Sequence, residues 1–166
     1  MGQQQLLLLV LGIVIVGLAV VVGINAFGEN QKRANADALV NDGLRIASDI
    51  QAYALKPAQF GGAGGFSNIP TISNSAEFFR EKIGYPIEPE LDADGDPIAD
   101  SADDYNNVNG TFIVSGDGAS GLVITGTNDD QDNEVYVTVC GVTSSEILTR
   151  IDYEGAAGGV TAAECD

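Results

Sequence analysis

The feature that most constrains this chain is an uninterrupted apolar run close to its start. The nineteen residues from Leu6 to Ile24 include neither a charge nor a polar side chain. As an α-helix at 1.5 Å per residue, such a run covers about 30 Å, the thickness of the hydrocarbon layer of a bilayer. This segment must therefore be inserted in lipid or buried in an assembly.

The pattern after the run predicts that the same helix continues with one apolar face. No proline occurs before Pro57, and a glycine cluster at 61–65 follows it, so we expect a helix from about Gln4 to Leu55. Asp42, Arg45 and Asp49 fall on the predicted solvent side, where they could support one another as charge pairs. At 100° per residue the apolar face consists of Ala36, Leu39, Val40, Gly43, Ile46, Ala47, Ile50, Tyr53 and Ala54.

The two halves of this helix predict two different environments. We divide the chain into a helical region, 1–56, and an acidic β-rich head, 57–166; within the helix, 3–28 is hydrophobic and 29–56 is amphipathic. A half that is apolar all round needs neighbours on every side, whereas a one-faced half needs only a head to lie against. We therefore predict that the hydrophobic half is buried among copies of itself in the core of a polymer. This predicted polymer core consists of Leu6, Leu7, Leu8, Leu9, Val10, Leu11, Gly12, Ile13, Val14, Ile15, Val16, Gly17, Leu18, Ala19, Val20, Val21, Val22, Gly23 and Ile24.

The charge is concentrated in the second half of the chain. The formal net charge is −17; residues 1–82 hold six acids and six bases, whereas residues 83–166 hold eighteen acids and only Arg150 as a base. A head of this charge repels nucleic acid and stays soluble when crowded. The chain has no histidine and no recognisable nucleophile arrangement, so we do not expect an enzyme.

The two cysteines, Cys140 and Cys165, lie far from any CxxC pattern. This spacing argues against zinc, thioredoxin-type redox chemistry and c-type haem. A single disulfide in an oxidising compartment is the simpler interpretation, and two buried free thiols are the alternative.

The head has a strand-like pattern that places the chain in the α+β class. Apolar, β-branched runs at 111–114, 122–125 and 134–139 are separated by turn residues, which predicts an antiparallel meander of three or four strands. The segment 147–153 fits a further strand or a turn of helix. A short helix over 74–83 is expected before the strands, capped by Ser75.

These features resemble a type IV pilin or pseudopilin. The resemblance rests on Gly2 shortly before LLLLVLGIVIVGLAVVVGINAF, on the amphipathic continuation, and on two cysteines that close the C-terminal region. It implies a long helix on a small antiparallel sheet, and subunits that leave the inner membrane to form a cell-surface filament. The family has a glutamate at the fifth mature position, where this chain has Leu7.

Because Leu7 replaces the glutamate, other polar groups must set the register of the helices. The only polar side chains before residue 25 are Gln3, Gln4 and Gln5. We predict that these amides set the register of neighbouring helices through hydrogen bonds, because unpaired polar groups are costly in an apolar core. The alternative is a frayed polar terminus at the membrane surface.

Two further sites follow from local patterns. Asp92, Asp94, Asp96, Asp100 and Asp103 have the 1, 3, 5, 9 and 12 spacing of a calcium loop, although Pro97 stands where the turn prefers glycine. Calcium is the one cofactor that the sequence suggests, and a solvated acidic turn is the alternative. Asn109 begins a formal glycosylation sequon.

We therefore expect a structural protein, a homopolymeric filament joined by its N-terminal helices. The rival prediction is a monomeric membrane-anchored binding module in which Leu6 to Ile24 spans lipid and the head binds calcium or another ligand. The uninterrupted helix favours the filament, because an anchor more often ends in a flexible linker.

Overall fold

One helix accounts for the first third of the chain. The computed structural model describes residues 2–87, 105–128, 130–152 and 165, and it begins with α1 (Gly2–Leu55). The helix ends where the sequence predicts, because Pro57 cannot donate the next backbone hydrogen bond and the glycines after it permit a turn. Gly61 closes the 3₁₀ turn Ala58–Phe60 with φ of 80°, in the left-handed region that favours glycine.

In the described residues, the head is built on five antiparallel strands in sequence order, which agrees with the predicted meander and its further strand at 147–153. They are β1 (Tyr105–Asn106), β2 (Thr111–Asp117), β3 (Gly121–Asn128), β4 (Asn133–Val139) and β5 (Ile147–Asp152). The open question at 147–153 is resolved as a strand, since Ile147 to Asp152 pair along β4. β1 was missed because its two residues are too few to show an alternating pattern.

A short helical segment precedes the sheet, as predicted, but its cap differs. A single α-helical turn, α2 (Ser75–Glu77), runs directly into a π-helical segment, Phe78–Ile83. The side chain of Asn74, not Ser75, caps it by accepting from the Glu77 N–H at 2.7 Å. The Ser75 hydroxyl is buried and accepts from the backbone N–H of Val114 at 2.8 Å. The Ser75 cap was therefore the wrong choice between two adjacent capping residues.

The second half of α1 packs its apolar face on the sheet. Ala36, Leu39, Gly43, Ile46, Ala47, Ile50 and Ala54 are buried, and all seven belong to the predicted face. One hydrophobic core joins the inner side chains of the strands, among them Phe112, Ile124 and Val137, to five of these residues: Leu39, Ile46, Ala47, Ile50 and Ala54. The helix and sheet come closest at Gly43, where an added Cβ would lie 2.8 Å from the Val137 Cγ2.

The strands run along α1, which gives the head two ends. β4 and α1 advance in the same direction: Asn133 bonds to Asn35, Val137 faces Gly43, and Gly141 accepts from Gln51. We call the end near Asn35 the base; it carries the β1–β2 and β3–β4 turns. The opposite end, the top, carries the end of α1, the β2–β3 turn and the β4–β5 connection. From residue 35 to residue 55 the helix rises about 30 Å, which approximates the length of the head.

Candidate assembly surface and its junction with the head

The first half of α1 exposes its entire apolar surface. The large apolar side chains from Leu6 to Ile24 are 50–68% exposed, and Phe27 is 66% exposed. Burying one such side chain is worth about 1.5–3 kcal/mol, so the fifteen between Leu6 and Ile24 represent roughly 20–45 kcal/mol. This exceeds the net stability of a typical domain, about 5–15 kcal/mol, so the surface needs a covering.

The same half-helix is long and apolar enough to cross a membrane. Its most apolar 18-residue window has a mean hydropathy of 3.2, and none of that window is buried inside the protein. Length and composition alone support this conclusion, and a covering of lipid or of neighbouring helices would satisfy the surface equally well. This surface is the candidate site of assembly.

The exposed half ends where an asparagine network joins the helix to the base of the head. The Asn133 side-chain amide donates to the Lys32 carbonyl at 2.8 Å and to the Asn35 Oδ1 at 3.0 Å. The amides of Asn35 and Asn128 both donate to the Asn109 carbonyl, at 3.0 and 2.7 Å. The network therefore fixes two turns of the base to each other and to the helix.

Asp42 holds the β1–β2 turn directly. Its Oδ2 accepts from the side-chain amides of Asn107 at 2.9 Å and Asn109 at 2.7 Å. Asn107 in turn accepts the backbone N–H groups of Asn109 and Gly110 through its Oδ1, at 2.8 and 3.1 Å. The sequence placed Asp42 on the solvent side, opposite the sheet, but its carboxylate reaches the head and is half-buried.

Asp49 makes a second acidic contact between helix and head. Its Oδ2 accepts from the Tyr85 hydroxyl at 2.6 Å. Burial first, and then the hydrogen bond and the negative charge of Asp49, raise the pKa of Tyr85 well above its ordinary value. The Tyr85 ring also meets the rings of Phe79 and Tyr105, with centroids at 5.6 and 4.7 Å. The carboxylates of Asp42 and Asp49 on α1 therefore both accept hydrogen bonds from side chains of the head.

The top of the head is tied to α1 through one glutamine and closed by the disulfide. Gln51 donates to the carbonyls of Gly141 and Thr143 at 2.8 and 3.0 Å. Cys140 and Cys165 form a disulfide with their Cα atoms 5.5 Å apart, the pairing that the sequence favoured over two free thiols. Across the turn, the Thr143 and Glu146 side chains make reciprocal capping hydrogen bonds.

The remaining predicted sites are the N-terminal glutamines, the glycosylation sequon and the calcium loop. Gln3, Gln4 and Gln5 lie within α1 and are exposed. Asn109 uses its Nδ2, the atom to which a glycan would be attached, to donate to Asp42. The calcium loop, Asp92, Asp94, Asp96, Asp100 and Asp103, falls outside the described residues. Within the described ranges, no group of three or more cysteine and acidic side chains is placed to hold a metal ion.

Sequence reasoning missed the asparagine network. Its signal was present, since Asn107 and Asn109 come just before a predicted strand and Asn128 and Asn133 lie between two predicted strands. Asparagine is common in turns for local reasons, and pattern alone does not show that these four amides converge on one helix.

The fold and the exposed apolar surface together define the architecture of this chain. A long N-terminal helix, apolar and exposed in its first half, packs its second half on a small antiparallel sheet, which is consistent with a pilin-like fold. Comparison with protein-family models, curated proteins and solved structures gives no match for this chain.

Proposed function

We propose that this chain is the structural subunit of an extracellular, pilus-like helical filament. The observation that carries the proposal is the exposed apolar half of α1, which projects from a folded head and has no polar side chain between Leu6 and Ile24. Copies of this half-helix would cover one another in the filament core. The acidic heads would face water on the outside, which their charge favours.

The proposal includes a path for the subunit. Before assembly the apolar half would lie in the inner membrane as a single span, and on assembly it would exchange lipid for neighbouring helices. The partner is therefore a second copy of this chain. We propose no catalytic role, no nucleic-acid partner and no required cofactor.

The construction of α1 supports a polymer over a plain anchor. The helix continues without a break from the exposed half into the half bound to the sheet, and the network around Asn35 and Asp42 fixes the head at the point where the helix emerges. A rigid stalk holds each head at a set orientation, which a repeating assembly requires. A binding module anchored in the membrane has no need of that rigidity, because a flexible linker lets a head search for ligand.

A pair of matched substitutions tests whether helices meet through this surface. Gly12, Ala19, Gly23 and Ala26 cluster within about 60° on the helical wheel, and Gly17 lies about 150° from their mean direction. Gly23→Leu would block close approach of a neighbouring helix, whereas Gly17→Leu adds the same bulk on the other side. Both changes keep the helix apolar, so membrane insertion should be unaffected.

We expect Gly23→Leu to lower the amount of filament sheared from cells at least tenfold, with the membrane-bound pool preserved. Gly17→Leu should have a clearly smaller effect. Equal, full yields of filament from both variants would exclude the small-residue face as the packing surface. A wild-type chain that stays wholly in the membrane fraction would favour the anchored binding module instead.

A further inference from the structure

The β1–β2 turn contains the only asparagine–glycine pair in the sequence, Asn109–Gly110. Such a pair is especially prone to deamidation, because the backbone nitrogen of a glycine has no neighbouring side chain to keep it away from the asparagine carboxamide. Both residues are half-buried, so water reaches them. The turn therefore holds the groups for a covalent change that needs no enzyme.

In this reaction the backbone nitrogen of Gly110 attacks the Cγ of Asn109. A new C–N bond forms, the bond from Cγ to Nδ2 breaks, and ammonia leaves with the proton of the Gly110 N–H. Water then cleaves one of the two C–N bonds of the cyclic imide. The product is aspartate or, when the original backbone bond is the one cleaved, isoaspartate, which adds one carbon to the backbone of the turn.

Close packing requires the glycine of this pair. A Cβ at position 110 would overlap the backbone carbonyl of Thr127 and lie 2.8 Å from the Leu39 Cδ2. Because β3 and α1 both approach the turn this closely, a larger residue at position 110 would force them apart. The reactive pair thus follows from the packing of the head, and its reactivity depends on the hydrogen bonds around it.

Hydrogen bonds hold both nitrogens that take part in the reaction. The leaving nitrogen, Nδ2 of Asn109, donates to the Asp42 Oδ2 at 2.7 Å. The attacking nitrogen, that of Gly110, donates its proton to the Asn107 Oδ1 at 3.1 Å. A bond from the carboxamide to a carboxylate also makes its carbon a poorer electrophile. Both hydrogen bonds must break before the Asn109 side chain can turn onto the Gly110 nitrogen.

We propose that Asn109 is a site of spontaneous deamidation, that Asp42 and Asn107 suppress the reaction in the folded head, and that the reaction releases the β1–β2 turn from α1. An aspartate at position 109 would place a second carboxylate against Asp42, with no proton between them to share. An isoaspartate would lengthen the backbone between Asn106 and Thr111, which pair across the turn. The reaction is intramolecular, so it would take place equally in a filament subunit or in an anchored head.

Peptide mass spectrometry of the full-length chain measures the fraction of Asn109 converted to aspartate and isoaspartate during incubation in detergent at mildly alkaline pH. The folded wild type should react at least about tenfold more slowly than the same chain in urea, because the reaction requires a local opening of the turn. Equal rates in the folded and the unfolded chain would overturn the proposal.

Two substitutions test the acceptors separately. Asp42→Ala and Asn107→Ala each remove one hydrogen bond to a reacting nitrogen, and either should raise the rate in the folded chain at least about fivefold without changing the rate in urea. Asp37→Ala, at an exposed position of the same helix, is the matched control and should leave both rates unchanged. A thermal melt verifies that each variant is folded at the incubation temperature. Folded variants that react as slowly as the wild type would refute the role of the two acceptors.

A variant that carries the aspartate product from the start tests the consequence of the reaction. Asn109→Asp should lower the melting temperature of the head, because two carboxylates then face each other. The added change Asp42→Asn restores one amide and one carboxylate with their positions exchanged, and it should recover most of the loss. An Asn109→Asp variant that melts like the wild type would refute the release of the turn.

Discussion

Gly43 is the position at which the packing of helix on sheet is most directly testable. A Cβ added there would lie 2.8 Å from the Val137 Cγ2, whereas carbon atoms in favourable contact lie about 3.5–4.0 Å apart. Gly43→Ala must therefore displace the helix or β4 by several tenths of an ångström or more. Overpacking of this kind lowers the free energy of unfolding by about 1–3 kcal/mol. The higher helix propensity of alanine raises the free energy of unfolding by about 1 kcal/mol. We expect a net loss of about 1 kcal/mol in the free energy of unfolding.

The partner variant provides the decisive comparison. Val137→Ala removes the methyl group that an alanine at position 43 would meet, and alone it should cost about 2 kcal/mol by leaving a cavity. In the double variant the new methyl group enters the vacated space. We expect the double loss to be smaller than the sum of the single losses by about 1–2 kcal/mol.

Urea unfolding of the full-length chain in detergent, followed by tyrosine fluorescence, measures all three variants. Gly28→Ala is the matched control, because nothing lies within 4 Å of a Cβ at that position of the same helix. The head of that variant should unfold like the wild type. Single losses that add to within about 0.3 kcal/mol in the double variant would refute the close contact of Gly43 with Val137.

Three further predictions concern the ties between helix and head and the sheet itself. Asp42→Ala should lower the free energy of unfolding by about 2 kcal/mol, because it leaves two amides without their acceptor; Asp37→Ala, at an exposed position of the same helix, should change it little. The Cys140–Cys165 disulfide joins residues 25 apart in sequence, so its reduction should lower the free energy of unfolding by about 3 kcal/mol. Urea unfolding with and without reductant measures this loss, and an unchanged midpoint would contradict the prediction. Burial, together with Glu134, raises the pKa of Tyr136 to about 12. The unfolded chain releases that proton near pH 10, so stability should fall as the pH rises from 10 to 12, and Tyr136→Phe should weaken the fall; absorbance at 295 nm would follow the titration.

Much of the fold could be predicted because two periodicities are strong. The apolar run and the 3.6-residue pattern that follows it predict one helix ending before Pro57, and the seven buried residues of α1 all lie on the predicted face. The alternating runs of β2, β3 and β4 predict a meander for the same reason. In both cases burial on one face imposes a pattern that the sequence displays.

The parts that could not be predicted depend on contacts distant in sequence. The junction pairs Asn35 with Asn133 and Asp42 with Asn109, at sequence separations of 98 and 67, and polar residues at turns do not reveal such partners. The choice of Asn74 over Ser75 as the helix cap was decided by β2, because the Ser75 hydroxyl is taken by the Val114 N–H.

The most direct test of the filament is cryo electron microscopy of material sheared from the cell surface, with mass spectrometry of the same fraction. The account predicts helical filaments made of this chain, with α1 packed in the core and the acidic heads outside. A sheared fraction without such filaments, and a chain that remains with the membranes, would contradict it and leave a membrane-anchored head as the better description.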